Sequence, residues 1–160
     1  PAAAKKLASR ARSRLQPHPP VRTPRTVQHI KLVEAFLAAS RGGDIAALLE
    51  LLAPNVVRRV DRRLVPHDVP TEVRGARRVA EETRRFTQRA RTGVVVLIDG
   101  IPGIALAPGG RLQALLRLEF GEDNRIRAID ITGQGVRDAV LTSAYAEPYR
   151  TFQQKHRAID

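Results

Sequence analysis

Between Val94 and Thr132 the chain breaks into β-rich runs separated by turn residues so closely spaced that consecutive strands have no room for a crossover. Such strands must pair antiparallel, as hairpins in a meander. The runs cover 94–98, 104–107, 111–120 and 125–132. The punctuation is Asp99-Gly100-Ile101-Pro102-Gly103, Ala107-Pro108-Gly109-Gly110 and Gly121-Glu122-Asp123-Asn124. In the longest run Leu112, Ala114, Leu116, Leu118 and Phe120 alternate with Arg111, Gln113, Arg117 and Glu119, which predicts one buried and one mixed face.

The residues ahead of this sheet follow a different period. From Thr26, read as an N-cap, Val27, Ile30, Val33 and Leu37 share one helical face, and Gly42-Gly43 supplies the stop. Asp44 caps a second helix carrying Ile45, Leu48, Leu49 and Leu52, closed by Pro54. Residues 55–60 read as a strand, and 61–74, with Pro66 and Pro70, as irregular chain. Gly75 opens a third helix with Ala76, Val79, Ala80, Phe86 and Ala90 on its apolar side and arginines opposite. After 132 a last helix is expected over about 136–146, then a polar tail at 147–160. Three helices on one side of a curved antiparallel sheet make an α+β domain with a conical cavity between the two layers.

Charge divides the chain unevenly. Residues 1–26 contain Lys5, Lys6, Arg10, Arg12, Arg14, Arg22 and Arg25 and no acidic side chain, seven of a net charge of +12. Ala4, Leu7, Ala8, Ala11 and Leu15 recur at helical spacing, so 1–16 is predicted to be a basic amphipathic helix. Pro17, Pro19, Pro20 and Pro24 make 17–26 a semi-rigid linker. A cationic arm beside a moderately charged body suits a polyanionic partner at one end.

Several classes are excluded or disfavoured. With no Cys there is neither a disulfide framework nor a thiolate metal site, which fits a cytoplasmic location. His18, His29, His67 and His156 lack ligand spacing, so no metal is expected, and no glycine pattern has the spacing of a nucleotide-phosphate loop, so no cofactor is expected. No apolar run is long enough to span a membrane. Six aromatic rings and no Trp leave little for stacking single-stranded bases. For an enzyme, the candidate proton-moving groups are Asp61, His67, Asp99 and Asp130, one of which would need an apolar pocket to raise its pKa. Asp99 before Gly100 is explained by a turn, and His67 between Pro66 and Asp68 by a solvated loop. Asp61 and Asp130, in or at the end of strands, remain with Leu116 as residues expected to line the cavity.

The stretches VEAFLAASRGGDIAALLELLAPNVV, EVRGARRVAEE and GVVVLIDGIPGIALAPGGR resemble the SnoaL-like domain, of the nuclear-transport-factor-two-like superfamily, that ends certain extracytoplasmic-function sigma factors. PAAAKKLASRARSRL resembles the recognition helix of sigma region 4. The resemblance implies the C-terminal part of such a factor: end of region 4 at 1–16, linker at 17–26, SnoaL-like domain at 27–146 and tail at 147–160. It implies promoter DNA and RNA polymerase core as partners, with Lys5, Lys6, Arg10, Arg12 and Arg14 on the DNA, and a cone that regulates without catalysing. Where that family commonly carries an Asp-Gly-Gly-Gly-Lys-like loop and an Asn-Pro-Asp-Lys-Leu-like motif, this chain has Asp61-Arg62-Arg63-Leu64 and Gly133-Gln134-Gly135-Val136. Two other readings stay open. One is a small-molecule enzyme of the polyketide cyclase or ketosteroid isomerase type with Asp130 or Asp61 as base. The other is a sensor whose cavity holds an unidentified small molecule. The superfamily also suggests a homodimer formed through the sheet.

Overall fold

A computed structural model describes residues 23–133 and 139–145. The arm at 1–16, the tail at 147–160 and residues 134–138 lie outside the described residues.

Helix α1 spans Pro24–Gly42. Its N-cap is Thr23, not Thr26: the Thr26 N–H donates to Thr23 Oγ1 at 3.1 Å. Pro24 fits the first turn, where its missing N–H would have had no partner, so the last proline assigned to the linker starts the helix instead. Gly43 ends α1 in the left-handed region at φ 61°. There the Gly43 and Asp44 N–H groups donate to Ser40 O and Ala39 O at 3.3 and 3.0 Å. Asp44 Oδ1 then accepts from Ala47 N at 3.1 Å and caps helix α2, Ile45–Leu51.

Strand β1, Leu52–Val60, follows without a loop. Leu52, which helical spacing assigns to α2, opens it, and Pro54 lies inside it. The proline is tolerated because the ladder is irregular there: Leu52 faces Ile126 while Val57 faces Ala128. The expected irregular stretch contains a 3₁₀ turn at Arg62–Leu64 and a short strand, β2, Glu72–Arg74, antiparallel to β1.

The single helix expected from Gly75 to Ala90 is two, α3 at Ala76–Arg84 and α4 at Thr87–Ala90. Thr83 Oγ1 donates back to Val79 O at 2.7 Å. The Arg85 and Phe86 N–H groups turn to carbonyls three residues earlier, which tightens and closes α3.

The remaining strands are β3 (Gly93–Ile98), β4 (Ile101–Leu106), β5 (Ala114–Phe120), β6 (Ile126–Thr132) and β7 (Leu141–Ser143). Asp99 and Gly100 alone form the β3–β4 turn, with φ of 50° and 85°, a geometry that matches strand twist. Ile101, Pro102 and Gly103, expected in the turn, therefore belong to β4. β5 starts three residues later than expected, which leaves Leu112 outside the sheet and 36% exposed. Residues 141–143, expected in the last helix, pair with β3 instead. This strand is clasped by Asp99, whose N–H donates to Val140 O and whose Oδ1 accepts from Val140 N, both at 2.9 Å. Val140 and Thr142 suit a strand as well as a helix, so periodicity alone could not separate the two. Beyond β7, Tyr145 donates to Glu34 Oε1 at 2.6 Å, tying this end of the chain to α1. That bond to a carboxylate pushes the phenol up to about 12.

The sheet order is β2-β1-β6-β5-β4-β3-β7, antiparallel throughout except that β1 and β6 run parallel. Short turns dictate the sense of consecutive strands only. β1 reaches β6 through most of the domain, so its direction was free. The sheet curves, with the helices on one side. Ile30, Val33, Phe36 and Leu37 of α1 and Leu48 of α2 pack against Val56, Ile104, Leu116, Leu118, Ile126 and Ile129 of the inner face. A smaller cluster of Ile98, Ala105, Leu115 and Ala139 lies apart from this core.

At the edge of the core, His29 of α1 stacks on Phe120 of β5, with ring centroids 4.2 Å apart and planes at 19°. Its Nε2 is buried with no hydrogen-bond partner among the described residues. Burial and then the nearby Arg25 charge push its pKa below 6.5, against the opposing effect of a hydrogen bond to the Asn124 side chain. The folded chain therefore resists a proton that the unfolded chain accepts below pH 6.5. Stability is expected to be level above that value and to fall as pH drops from 6.5 toward the lowered folded pKa. His29→Phe keeps the stacked ring and should remove this part of the pH dependence. Urea melts of both proteins at pH 7.5 and pH 5.5 check it; parallel losses in the two would contradict the assignment.

Candidate functional site

Between helices and sheet lies a cavity of about 80 Å³. Its wall is mostly aliphatic and aromatic: Phe36 and Leu37 from α1, Ile104 and Leu106 from β4, Leu116 from β5, and Ile129 and Ile131 from β6. The break between α3 and α4 brings Phe86 to the wall, and Ala90 follows from α4. The hydroxyls present are occupied within the fold. Ser40 Oγ donates to Phe36 O at 2.7 Å, and Thr83 is bonded to Val79.

Two guanidinium groups line this apolar space, Arg58 and Arg89. Arg58 is 4% exposed, held inward because β1 alternates Val56, Arg58 and Val60 on its inner face. Its Nη2 donates to Pro70 O at 2.8 Å, while its Nε is buried with no hydrogen-bond partner among the described residues. Burial pushes this guanidinium below its ordinary range, and the charge of Glu82 opposes the shift. Glu82 itself is not part of the wall; its Oε1 meets Arg85 at 3.5 Å. Arg89 donates to Leu64 O at 2.6 Å and sits 5.5 Å over the Phe86 ring, so it pins the loop after β1 to α4. Arg41 ties the other side of α4 in place, donating to Ala90 O at 3.1 Å and Gly93 O at 2.6 Å.

Of the three residues expected in the cavity wall, Leu116 lines it, and Asp61 and Asp130 do not. Strand alternation decides the matter: Ile129 and Ile131 point inward, so Asp130 between them points out. On the outer face Asp130 lies 3.8 Å from Arg59, which also reaches Glu72 at 3.3 Å. Asp61 caps the 3₁₀ turn, its Oδ1 accepting from Arg63 N at 3.1 Å. The two carboxylates share a shallow outer groove with Arg59 and Thr132. Asp99 is the turn residue expected, with Arg117 3.5 Å from its second oxygen. His67 sits in an exposed loop, where its carbonyl lies 3.4 Å from Arg62 Nη1. Over β1, β6 and the end of β5 the outer sheet face thus carries exposed ion pairs, Arg127 with Glu119 among them, and such pairs contribute little to stability. Lys5, Lys6, Arg10, Arg12 and Arg14 lie outside the described residues.

Among the described residues, the cavity wall holds no Asp, Glu or His, and no three of those side chains gather to hold a metal. No helix among them is long and apolar enough to cross a membrane. The sequence reading missed Arg58, although a signal was present. In Val56-Val57-Arg58-Arg59-Val60 one of two adjacent arginines must face the core once the segment is a strand.

With the site in view, the chain can be placed among known folds. Sheet order, curvature and one-sided helices make it an α+β cone. Among solved structures it is similar to the Mycobacterium tuberculosis extracytoplasmic function sigma factor SigJ, with 24% identity and a TM-score of 0.52. That likeness covers 85% of this chain and 49% of the sigma factor, so the chain spans about half of that protein's length. A SnoaL-like protein of unknown function from Burkholderia thailandensis is 19% identical with a TM-score of 0.49, over 69% of this chain and 95% of the other. Bal32a, from a soil-derived mobile gene cassette, is 17% identical with a TM-score of 0.49, over 70% of this chain and 93% of the other. No protein-family model matches the chain, and no curated protein matches it.

Proposed function

We propose that this chain is the C-terminal part of an extracytoplasmic-function sigma factor, in which the cone is a non-catalytic regulatory module beside a promoter-binding helix. The observation that carries the reading is the likeness in fold, across 85% of the chain, to a sigma factor of that type. The charge distribution supports it. Outside the arm the net charge is +5, and the stretch 74–91 accounts for that excess, with Arg74, Arg77, Arg78, Arg84, Arg85, Arg89 and Arg91 against Glu81 and Glu82. The cone therefore adds a cationic helical surface to a cationic arm, which suits proximity to a phosphate backbone. The outward placement of Asp61 and Asp130 favours regulation over the enzyme reading, because neither carboxylate can meet a substrate held in the cavity.

Regulation of this kind requires the cone to make different contacts in the polymerase-competent and occluded arrangements of the factor. Deleting residues 27–160 from the full-length factor is expected to change promoter-dependent transcription; unchanged output would remove the regulatory role. Replacing Lys5, Lys6, Arg10, Arg12 and Arg14 by Gln should also flatten the salt dependence of promoter binding. The log–log slope should lose about 0.9 for each phosphate contact removed. An unaltered slope would take those five side chains off the DNA.

A further inference from the structure

The cavity wall presents a combination that core packing alone does not explain. An arginine is 4% exposed, its Nε has no hydrogen-bond partner among the described residues, and the space beside it is apolar and unfilled. A buried donor left unmade is costly, more so when the group is charged, so such a donor ordinarily has an occupant. The carboxylate whose charge acts on Arg58, Glu82, stands behind the wall with its Oε2 buried; the second charged group of the wall, Arg89, is also cationic, and no anion lines the space among the described residues.

We propose that the cavity is a binding site for a small carboxylate with a short apolar tail, its carboxylate accepting from Arg58 Nε and its tail against Phe36, Leu116, Ile129 and Ile131. A carboxylate matches the guanidinium in charge and planar geometry, and the hydrogen bond is charge-assisted. The tail buries apolar surface against side chains that face the cavity already. Size limits the ligand: at about 80 Å³ the space is roughly half the ~150 Å³ core cavity that takes benzene. An acid of two or three carbons, smaller than benzene, is what such a volume takes. The inference stands apart from the sigma-factor reading, since it concerns the isolated chain and no polymerase.

Titration of the 160-residue chain with propionate, followed by calorimetry and by thermal shift, tests it against two controls. Propan-1-ol has the same carbon skeleton without the charge, and sulfate has charge without the tail. Propionate should bind at least tenfold more tightly than the alcohol, and sulfate should raise the melting temperature by less than propionate at equal concentration. Arg58→Met keeps the aliphatic stem and should weaken propionate at least tenfold. Leu116→Trp, which fills the cavity and leaves Arg58 in place, should abolish binding, and it decides the question if Arg58→Met does not fold. Equal affinity for acid and alcohol, undiminished binding to Leu116→Trp, or no binding of propionate at 10 mM would each overturn the proposal; the last would mean that water satisfies Arg58.

Discussion

Phe36→Ala is expected to lower the free energy of unfolding by about 3–5 kcal/mol, read as a shift of the urea midpoint at unchanged slope. Phe36 is 2% exposed and belongs both to the main core and to the wall of the cavity. Truncation removes the transfer energy of an aromatic ring and merges the lost volume with a space that is already partly empty. Its neighbours on α1, Val33 and Leu37, are buried and fixed by the helix, so they cannot collapse inward to compensate. A loss under about 1 kcal/mol would mean that the cone closes over the gap, and that the cavity is softer than its wall of strands and helices suggests.

Gly103→Ala should be nearly as severe for one methyl group, at about 1–3 kcal/mol. Gly103 lies in β4 opposite Val96 of β3 and Arg117 of β5. A Cβ there would stand 2.6 Å from Ile98 Cδ1 and 2.7 Å from the Leu116 carbonyl oxygen. The isoleucine tip can rotate, but the carbonyl is part of the ladder between β4 and β5 and cannot move without losing pairing. Thermal melts measure the effect, and Gly42→Ala is the control, because a Cβ at Gly42 meets nothing within 4 Å. Equal melting temperatures for the two variants would show that β5 can shift away from β4.

The contrast between Asp130 and Arg58 shows where a linear reading stops. Both lie on strands whose existence the sequence announced, and both were charged residues among valines and isoleucines. An aspartate in such a place invites a catalytic role, whereas an arginine reads as surface. The side each takes depends on the phase of a two-residue period, and a one-residue offset exchanges the faces. For β6 that phase is legible from Ile129 and Ile131, which put Asp130 on the opposite face. For β1 the phase is set by an irregularity at Pro54 and by pairing with β6, neither of which is legible without the partner strand.

Local chemistry was enough for the elements whose ends carry their own signals. Asp44 with its Ala47 N–H, Gly43 at positive φ, the Asp99-Gly100 turn and the alternation along β5 all act within a few residues, so they can be read from neighbours in the chain. The α+β class and the helical layer over a meander follow from those signals together. The parallel β1–β6 pair, the recruitment of 141–143 to β3, the break between α3 and α4 and the inward turn of Arg58 are of another kind. Each is settled by contacts between residues far apart in sequence, where burial and backbone pairing across the sheet outweigh a local preference worth a few tenths of a kcal/mol.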